Sequence, residues 1–351
     1  MPVNISPATK SYLLGDLLSK VSRSFYLTLA VLPASVRTQV GLAYLFARAA
    51  DTITDTDLIE QSERIVHLKN FQKLFTLEAI DWEIVQSIQA SLISHQALPA
   101  ERILLERLKD CFQAYLECEL SDRIRINDLM TTLTKGMEMD LELFHGSSPE
   151  NIISLETQED LNRYTYYVAG CVGEYWTNLM CAHLPSLNKW DVEQMSNIGI
   201  NFGKGLQLTN IVKDVAKDLN RGRCYIPTSL LKTTGLSPND LLQPQSWKSF
   251  QPILNRLIQQ AAEYLDQGWE YTTAIPRSEV RLRLSCMWPI LFGGETLKLV
   301  RNSPEVLNPN CQIKITRSCV YKVISLTTIS GGSSLIGTIY WKKLYNQLVM
   351  T

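Results

Sequence analysis

No run of ~20 consecutive apolar residues occurs in the 351-residue chain, so no membrane-spanning helix is legible in it. Residues Met1–Lys20 carry Pro2, Pro7 and Asp16 and lack the apolar core of a signal peptide, which makes the cytosol the expected compartment. A charge excess is also missing. The formal net charge is −1, without the basic surplus of a nucleic-acid binder, so no nucleic-acid partner is expected. The four histidines, His67, His95, His145 and His183, are scattered. None of the eight cysteines (Cys111, Cys118, Cys171, Cys181, Cys224, Cys286, Cys311 and Cys319) forms a C-x-x-C pair. A zinc site would need tighter clustering, so the cysteines read as reduced, small core residues. Alternating runs that mark strands are scarce, and there is no long linker, low-complexity tract or regular repeat.

What is present is helical periodicity. Hydrophobic residues make up 45 % of the chain, enough for a substantial core. They recur at three- and four-residue steps in Tyr44–Ala50, Leu104–Leu120, Leu161–Leu184, Ile198–Val215 and Leu254–Tyr271. Pro33, Pro99, Pro149, Pro185, Pro227, Pro244 and Pro276 fall between these segments, at helix starts or connections. Pro289 lies inside Leu282–Leu299 and should kink that helix or begin a new one. Gly331, Gly332, Ser333 and Ser334 read as a loop between two last helices, Arg317–Ile329 and Leu335–Leu348. The pattern predicts an all-α chain with a single helical domain over residues 1–351. Apolar helix faces alone do not separate a plain core from a cup around a greasy substrate.

Two acidic motifs stand out: Asp51-Thr-Ile-Thr-Asp55 and Asp214-Val-Ala-Lys-Asp218. Each sets two carboxylates at i and i+4, on one face of a helix. Like charges at that spacing are mutually unfavourable, and a hard divalent cation with oxygen ligands would offset them. A single D-x-x-x-D also occurs on solvated helix surfaces, so the neighbours matter. Tyr44 and Arg48 precede Asp51 inside the strongly apolar stretch Val40–Ala50. A charged patch within an apolar helix points to a buried or cleft-lining site. Around the second motif, Gln207, Asn210, Asp214 and Asp218 step by three, four and four, flanked by Lys213 and Lys217. Arg221 and Arg223 follow in Asn220-Arg-Gly-Arg-Cys-Tyr-Ile-Pro227. Acids for a metal and bases for phosphate oxygens are the inventory for binding and ionising a diphosphate. A salt-bridge lattice on a solvent face is the competing reading. Ser22-Arg-Ser-Phe25 adds a guanidinium and hydroxyls, and Tyr164-Thr-Tyr-Tyr-Val-Ala-Gly170 sets Tyr164 and Tyr167 beside small residues. Such tyrosines either move a proton, face a cation with their rings, or simply pack.

These motifs, with Gly136-Met137 and Asp140, resemble the squalene and phytoene synthase family over roughly residues 15 to 300, in the family's order and spacing. The resemblance implies an isoprenoid synthase fold with a central cavity between the two acidic helices. It implies that Asp51, Asp55, Asp214 and Asp218 hold Mg²⁺, with Asn210 assisting. Arg23, Arg48, Lys213 and Arg223 would hold diphosphate oxygens, with Ser22, Tyr44 and Gln207 nearby, and Tyr164 matches the family's catalytic tyrosine. Lys213 stands where the family usually has arginine and Lys217 where an acid is common, so the second metal cluster would carry less negative charge. The implied reaction is head-to-head joining of two farnesyl diphosphates through presqualene diphosphate. Ser285–Pro289, Glu295-Thr-Leu and the stretch Lys314–Thr328 fit the branch that forms squalene with NADPH, with Lys314 and Arg317 as contacts to the cofactor's phosphates. Phytoene or dehydrosqualene formed without NADPH is the alternative. A catalytically silent assembly partner would have lost an acidic motif, and both are intact. The chain is expected to be a monomer. The stripe Ile336, Ile339, Tyr340, Leu344 and Leu348, beside Lys342 and Lys343, fits either a last helix packed on the body or a peripheral membrane contact.

Overall fold

A computed structural model describes residues 5–22, 25–56, 59–75, 79–330 and 334–349. Regular structure among them is almost entirely helical, as the periodicity predicts, with two two-residue strands. The fold is all-α. The helices pack into two compact units, Met1–Glu142 with Asn178–Pro185, and Leu143–Thr177 with Ser186–Thr351.

The first unit is organised by the helix Ala34–Thr54, which follows Pro33 and buries Val36, Val40, Leu42, Leu45, Phe46, Ala49 and Ile53. Phe46 sits among Phe71, Phe75, Phe112 and Tyr115, with its ring centroid 4.7 Å from that of Phe112 and 5.0 Å from that of Phe75. Burial of each such side chain contributes roughly 1.5–3 kcal/mol, which fixes the helix firmly against its neighbours. The segment Leu104–Leu120 is two helices rather than one, Pro99–Glu106 and Leu108–Leu116. Arg107 separates them with φ −98° and ψ 10°, outside the helical well.

The second unit is built on Val192–Lys213, Trp247–Ala274 and Val280–Arg301. Val280–Arg301 runs through Pro289, so no new helix begins there. The expected helix Leu161–Leu184 is interrupted: Gln158–Thr165 and Cys171–His183 are joined by a π-helical turn, Tyr166–Gly170. That irregular turn lies where backbones come very close. A Cβ on Gly203 would collide with the Ala169 carbonyl, and one on Gly173 with that of Gly199, so glycine is required. The helices Arg317–Ile329 and Ser334–Val349 follow, while Gly331, Gly332 and Ser333 lie outside the described residues. The last helix packs on its unit through Trp341, Leu344 and Leu348, with Trp341 Nε1 donating to Asp266 Oδ1 at 2.7 Å. Leu344 and Leu348 of the predicted stripe are therefore core, whereas Ile336 and Ile339 stay exposed.

No cysteine is in a disulfide. Burial pushes the thiols of Cys171, Cys224 and Cys286 up to about 12, which suits inert core residues. No helix is long and apolar enough to cross a membrane among the described residues.

Candidate active site

Asp51 lies in the last turn of Ala34–Thr54, and Asp55 is its C-cap, with its N–H donating to the Asp51 carbonyl at 2.8 Å. The second pair is placed comparably. Val192–Lys213 ends one residue before Asp214, whose φ of −102° and ψ of 15° break the helix before Val215–Leu219 begins. The stripe Gln207–Asn210–Asp214–Asp218 is thus not on one continuous helix. The Asp218 N–H still bonds the Asp214 carbonyl at 2.9 Å, which keeps the turn going. In both motifs a carboxylate occupies the negative end of a helix, where cations are favoured and anions are not.

The electrostatics of the first pair point the same way. Asp51 is 47 % exposed, so water reaches part of the carboxylate while protein surrounds the rest. Lost hydration, partly opposed by Arg48, pushes its carboxyl up to about 7, and the charges of Asp55, Glu101 and Asp140 add to the rise. Arg48 Nη1 is 3.5 Å from Asp51 Oδ2 and 4.0 Å from Glu101 Oε1, and its Nη2 donates to the Tyr44 hydroxyl at 3.4 Å. Phe25 stacks on Tyr44 at 5.7 Å, which ties the Phe25 ring to this helix. Ser22 is buried and donates to the Leu18 carbonyl at 2.6 Å, a use of its hydroxyl within its own helix. Arg23 lies outside the described residues.

At the second pair, Lys213 Nζ is 3.2 Å from Asp214 Oδ2 and donates to Asn210 Oδ1 at 3.4 Å. Gln207 is half-buried one turn earlier. Beyond Asp218 the chain turns through Gly222, at φ +75°, where a Cβ would also strike the backbone of Ser148. The strand Arg223–Cys224 then pairs in parallel with Ile153–Ser154. This pairing sets Arg223 over the Phe144 ring at 5.7 Å. Phe144 meets Tyr225 edge-on at 5.1 Å, and Tyr225 stacks on Tyr164 at 4.7 Å and 24°. The predicted catalytic tyrosine and the predicted phosphate-binding arginine are thereby linked through two aromatic rings. A small crevice, partly open to solvent, lies among residues that include Asp218, Arg223 and Tyr225. Lys314 and Arg317 are exposed where the helix Arg317–Ile329 starts.

Three residues beside these sites had no role in the sequence reading: Glu101 and Asp140 near Asp51, and Tyr225 against Tyr164. Asp140 and Tyr225 lie in motifs that carry the family resemblance, but nothing in the sequence pairs them with Asp51 or Tyr164. Among the described residues, no three histidine, cysteine or carboxylate side chains converge enough to hold a metal alone. Mg²⁺ does not need that. It binds through one or two carboxylates and completes its shell with water and substrate phosphates, which suits paired acids at helix ends beside a basic side chain.

A family model described as squalene/phytoene synthase matches residues 18–318. The chain is 28 % identical over 331 residues to squalene synthase ERG9 of Saccharomyces cerevisiae, covering 92 % of this chain and 69 % of that one. It is 28 % identical over 268 residues to a bifunctional lycopene cyclase/phytoene synthase of Colletotrichum graminicola. That match covers 75 % of this chain and spans only 42 % of the relative's length. Among solved structures, a ligand complex of TcSQS superposes with a TM-score of 0.77 at 21 % identity, covering 97 % of this chain and 91 % of that one. A dehydrosqualene synthase in complex with ligand superposes with a TM-score of 0.62 at 20 % identity, covering 92 % and 96 %. The isoprenoid synthase fold is shared with these structures, and with the family match over residues 18–318 the chain belongs to the squalene/phytoene synthase family.

Proposed function

We propose that the chain joins two farnesyl diphosphates head to head through presqualene diphosphate to squalene, using Mg²⁺ and NADPH. The observation that carries this reading is the placement of both carboxylate pairs at helix C-terminal ends, each beside a basic side chain, Arg48 or Lys213. Asp51, Asp55, Asp214 and Asp218, with Asn210, would hold Mg²⁺, which when bound neutralises diphosphate charge and eases its departure. Arg48, Lys213 and Arg223 would take diphosphate oxygens, with Tyr44 and Gln207 beside them. Tyr164, buried and stacked against Tyr225, would accept or return a proton, and the stack would limit the movement of its ring. Apolar walls would keep water from the allylic cation. Lys314 and Arg317, exposed cations at a helix start, suit the phosphates of NADPH, which supplies the hydride.

The squalene reading is favoured over phytoene or dehydrosqualene because the match to the yeast relative runs over 92 % of the chain, against 75 % for the bifunctional phytoene synthase. The test is product analysis from farnesyl diphosphate with Mg²⁺, with and without NADPH. Squalene only with NADPH supports the proposal; one identical product mixture under both conditions promotes the NADPH-independent alternative.

A peripheral membrane contact belongs to the same proposal. Ile329, Leu335 and Ile339 are 87 %, 70 % and 64 % exposed near the facing ends of the last two helices. From residue 306 onward the chain holds Lys314, Arg317, Lys322, Lys342 and Lys343 and no acid. Exposed Lys342 and Lys343 lie within one helical turn of Ile339, and apolar residues with basic neighbours suit an anionic lipid surface.

A further inference from the structure

Glu101 lies in the first turn of Pro99–Glu106. An acid there suits the helix dipole, and for that purpose it could face solvent. It is instead 14 % exposed and turned toward the helix Ala34–Thr54, where Oε2 accepts from Thr52 Oγ1 at 3.4 Å. Placing it near the like charge of Asp51 is unfavourable unless the two share a cation. The shared cation is Arg48. Its contacts to Asp51, Glu101 and Tyr44, at 3.5, 4.0 and 3.4 Å, are all longer than a closed charge-assisted pair, and its Nε is buried without a hydrogen bond. The guanidinium is held open between competing acceptors.

We propose that Glu101 is a positioning residue for the reaction: by sharing Arg48 with Asp51 it keeps the guanidinium available to a diphosphate. This deepens the diphosphate reading and rests on it. Without the Glu101 charge, Arg48 closes on Asp51, and both are withdrawn from the ligand. Glu101 itself touches no substrate; it acts through Arg48.

The test is calorimetric titration of inorganic pyrophosphate in Mg²⁺ into the wild type, Glu101→Gln, Glu101→Asp, Arg48→Ala and the Arg48→Ala/Glu101→Gln double variant. KM and kcat for farnesyl diphosphate are measured alongside. Glu101→Gln is expected to weaken pyrophosphate binding about tenfold and to raise KM more than it lowers kcat. Glu101→Asp should recover most of the loss. In the Arg48→Ala background Glu101→Gln should cost almost nothing further, because the two residues act as one unit. Wild-type affinity in Glu101→Gln, or an equal loss with and without Arg48, overturns the inference; the latter is what a merely structural role would give. A wild type that binds no pyrophosphate overturns the diphosphate reading and this inference with it, whereas wild-type binding with an unaffected Glu101→Gln overturns the role of Glu101 alone.

Discussion

Asp122 and His183 are 61 residues apart in the chain, yet both oxygens of the Asp122 carboxylate lie 2.9 Å from His183 Nε2. Gln39 donates to the same carboxylate at 2.9 Å, and Arg125 pairs with it at 2.9 Å. Three stretches of the first unit are pinned to one buried acid. Burial works against its charge, but the hydrogen bonds from His183 and Gln39 and the positive charge nearby outweigh it and hold the carboxyl below its usual range. The sign follows from that depression. The stabilisation is present above the unfolded carboxyl's pKa, about 3.9, and is lost as pH falls through the lower folded value. Asp122→Ala should be destabilised by ~3 kcal/mol at neutral pH, because the half-buried Gln39, Arg125 and His183 lose their shared acceptor, and should lose this acid-linked component. Denaturant melts from pH 7 to 3 check it; a variant as stable as the wild type at pH 7 would remove Asp122 from the structural account.

The stack of Tyr164 on Tyr225 separates ring from hydroxyl. Tyr164→Phe keeps the ring and its packing, so substrate binding should survive while the reaction stops before the cyclopropyl intermediate is released. Tyr225→Leu keeps the hydroxyl but loosens its placement and should lower kcat, by up to ~10²-fold. Quantifying presqualene diphosphate in single turnovers decides it; wild-type formation by Tyr164→Phe would make Tyr164 a packing residue.

Asp51→Asn and Asp214→Asn each remove one carboxylate from the end of a helix. Neither sits in the apolar core, so both variants should melt near the wild-type temperature. Turnover should fall by ~10²-fold or more, since charge stabilisation worth several kcal/mol is lost. Near-normal rates at saturating Mg²⁺ in both variants would sink the metal assignment.

Flotation with vesicles of phosphatidylglycerol or phosphatidylcholine tests the apolar ends of the last two helices. The chain should float with the anionic vesicles and much less with the neutral ones, each nearby Lys or Arg adding about 1 kcal/mol. Ile329→Asp with Ile339→Asp should abolish flotation without changing the melting temperature, as both side chains are exposed. Equal flotation of that variant would exclude this surface as the contact.

The sequence by itself determined the features that depend on neighbours along the chain. Helical periodicity is a three- and four-residue property, so most helices and both acidic pairs were legible, together with the basic side chains one turn away. Where local geometry departs from the ideal helix, the reading was coarser. The break at Asp214 and the π-helical turn Tyr166–Gly170 leave the apolar pattern intact, and the second reflects backbone contacts that only packed helices make. What tertiary structure alone decided are pairings between distant segments. Glu101 reaches Arg48 across 53 positions of chain and Tyr225 stacks on Tyr164 across 61, because separate helices and a strand bury them together. The last helix makes the same point: its stripe is apolar throughout in sequence, but packing buried Leu344 and Leu348 and left Ile336 and Ile339 to solvent. Side-chain type is written locally, whereas burial and electrostatic environment depend on which surfaces the folded chain brings into contact.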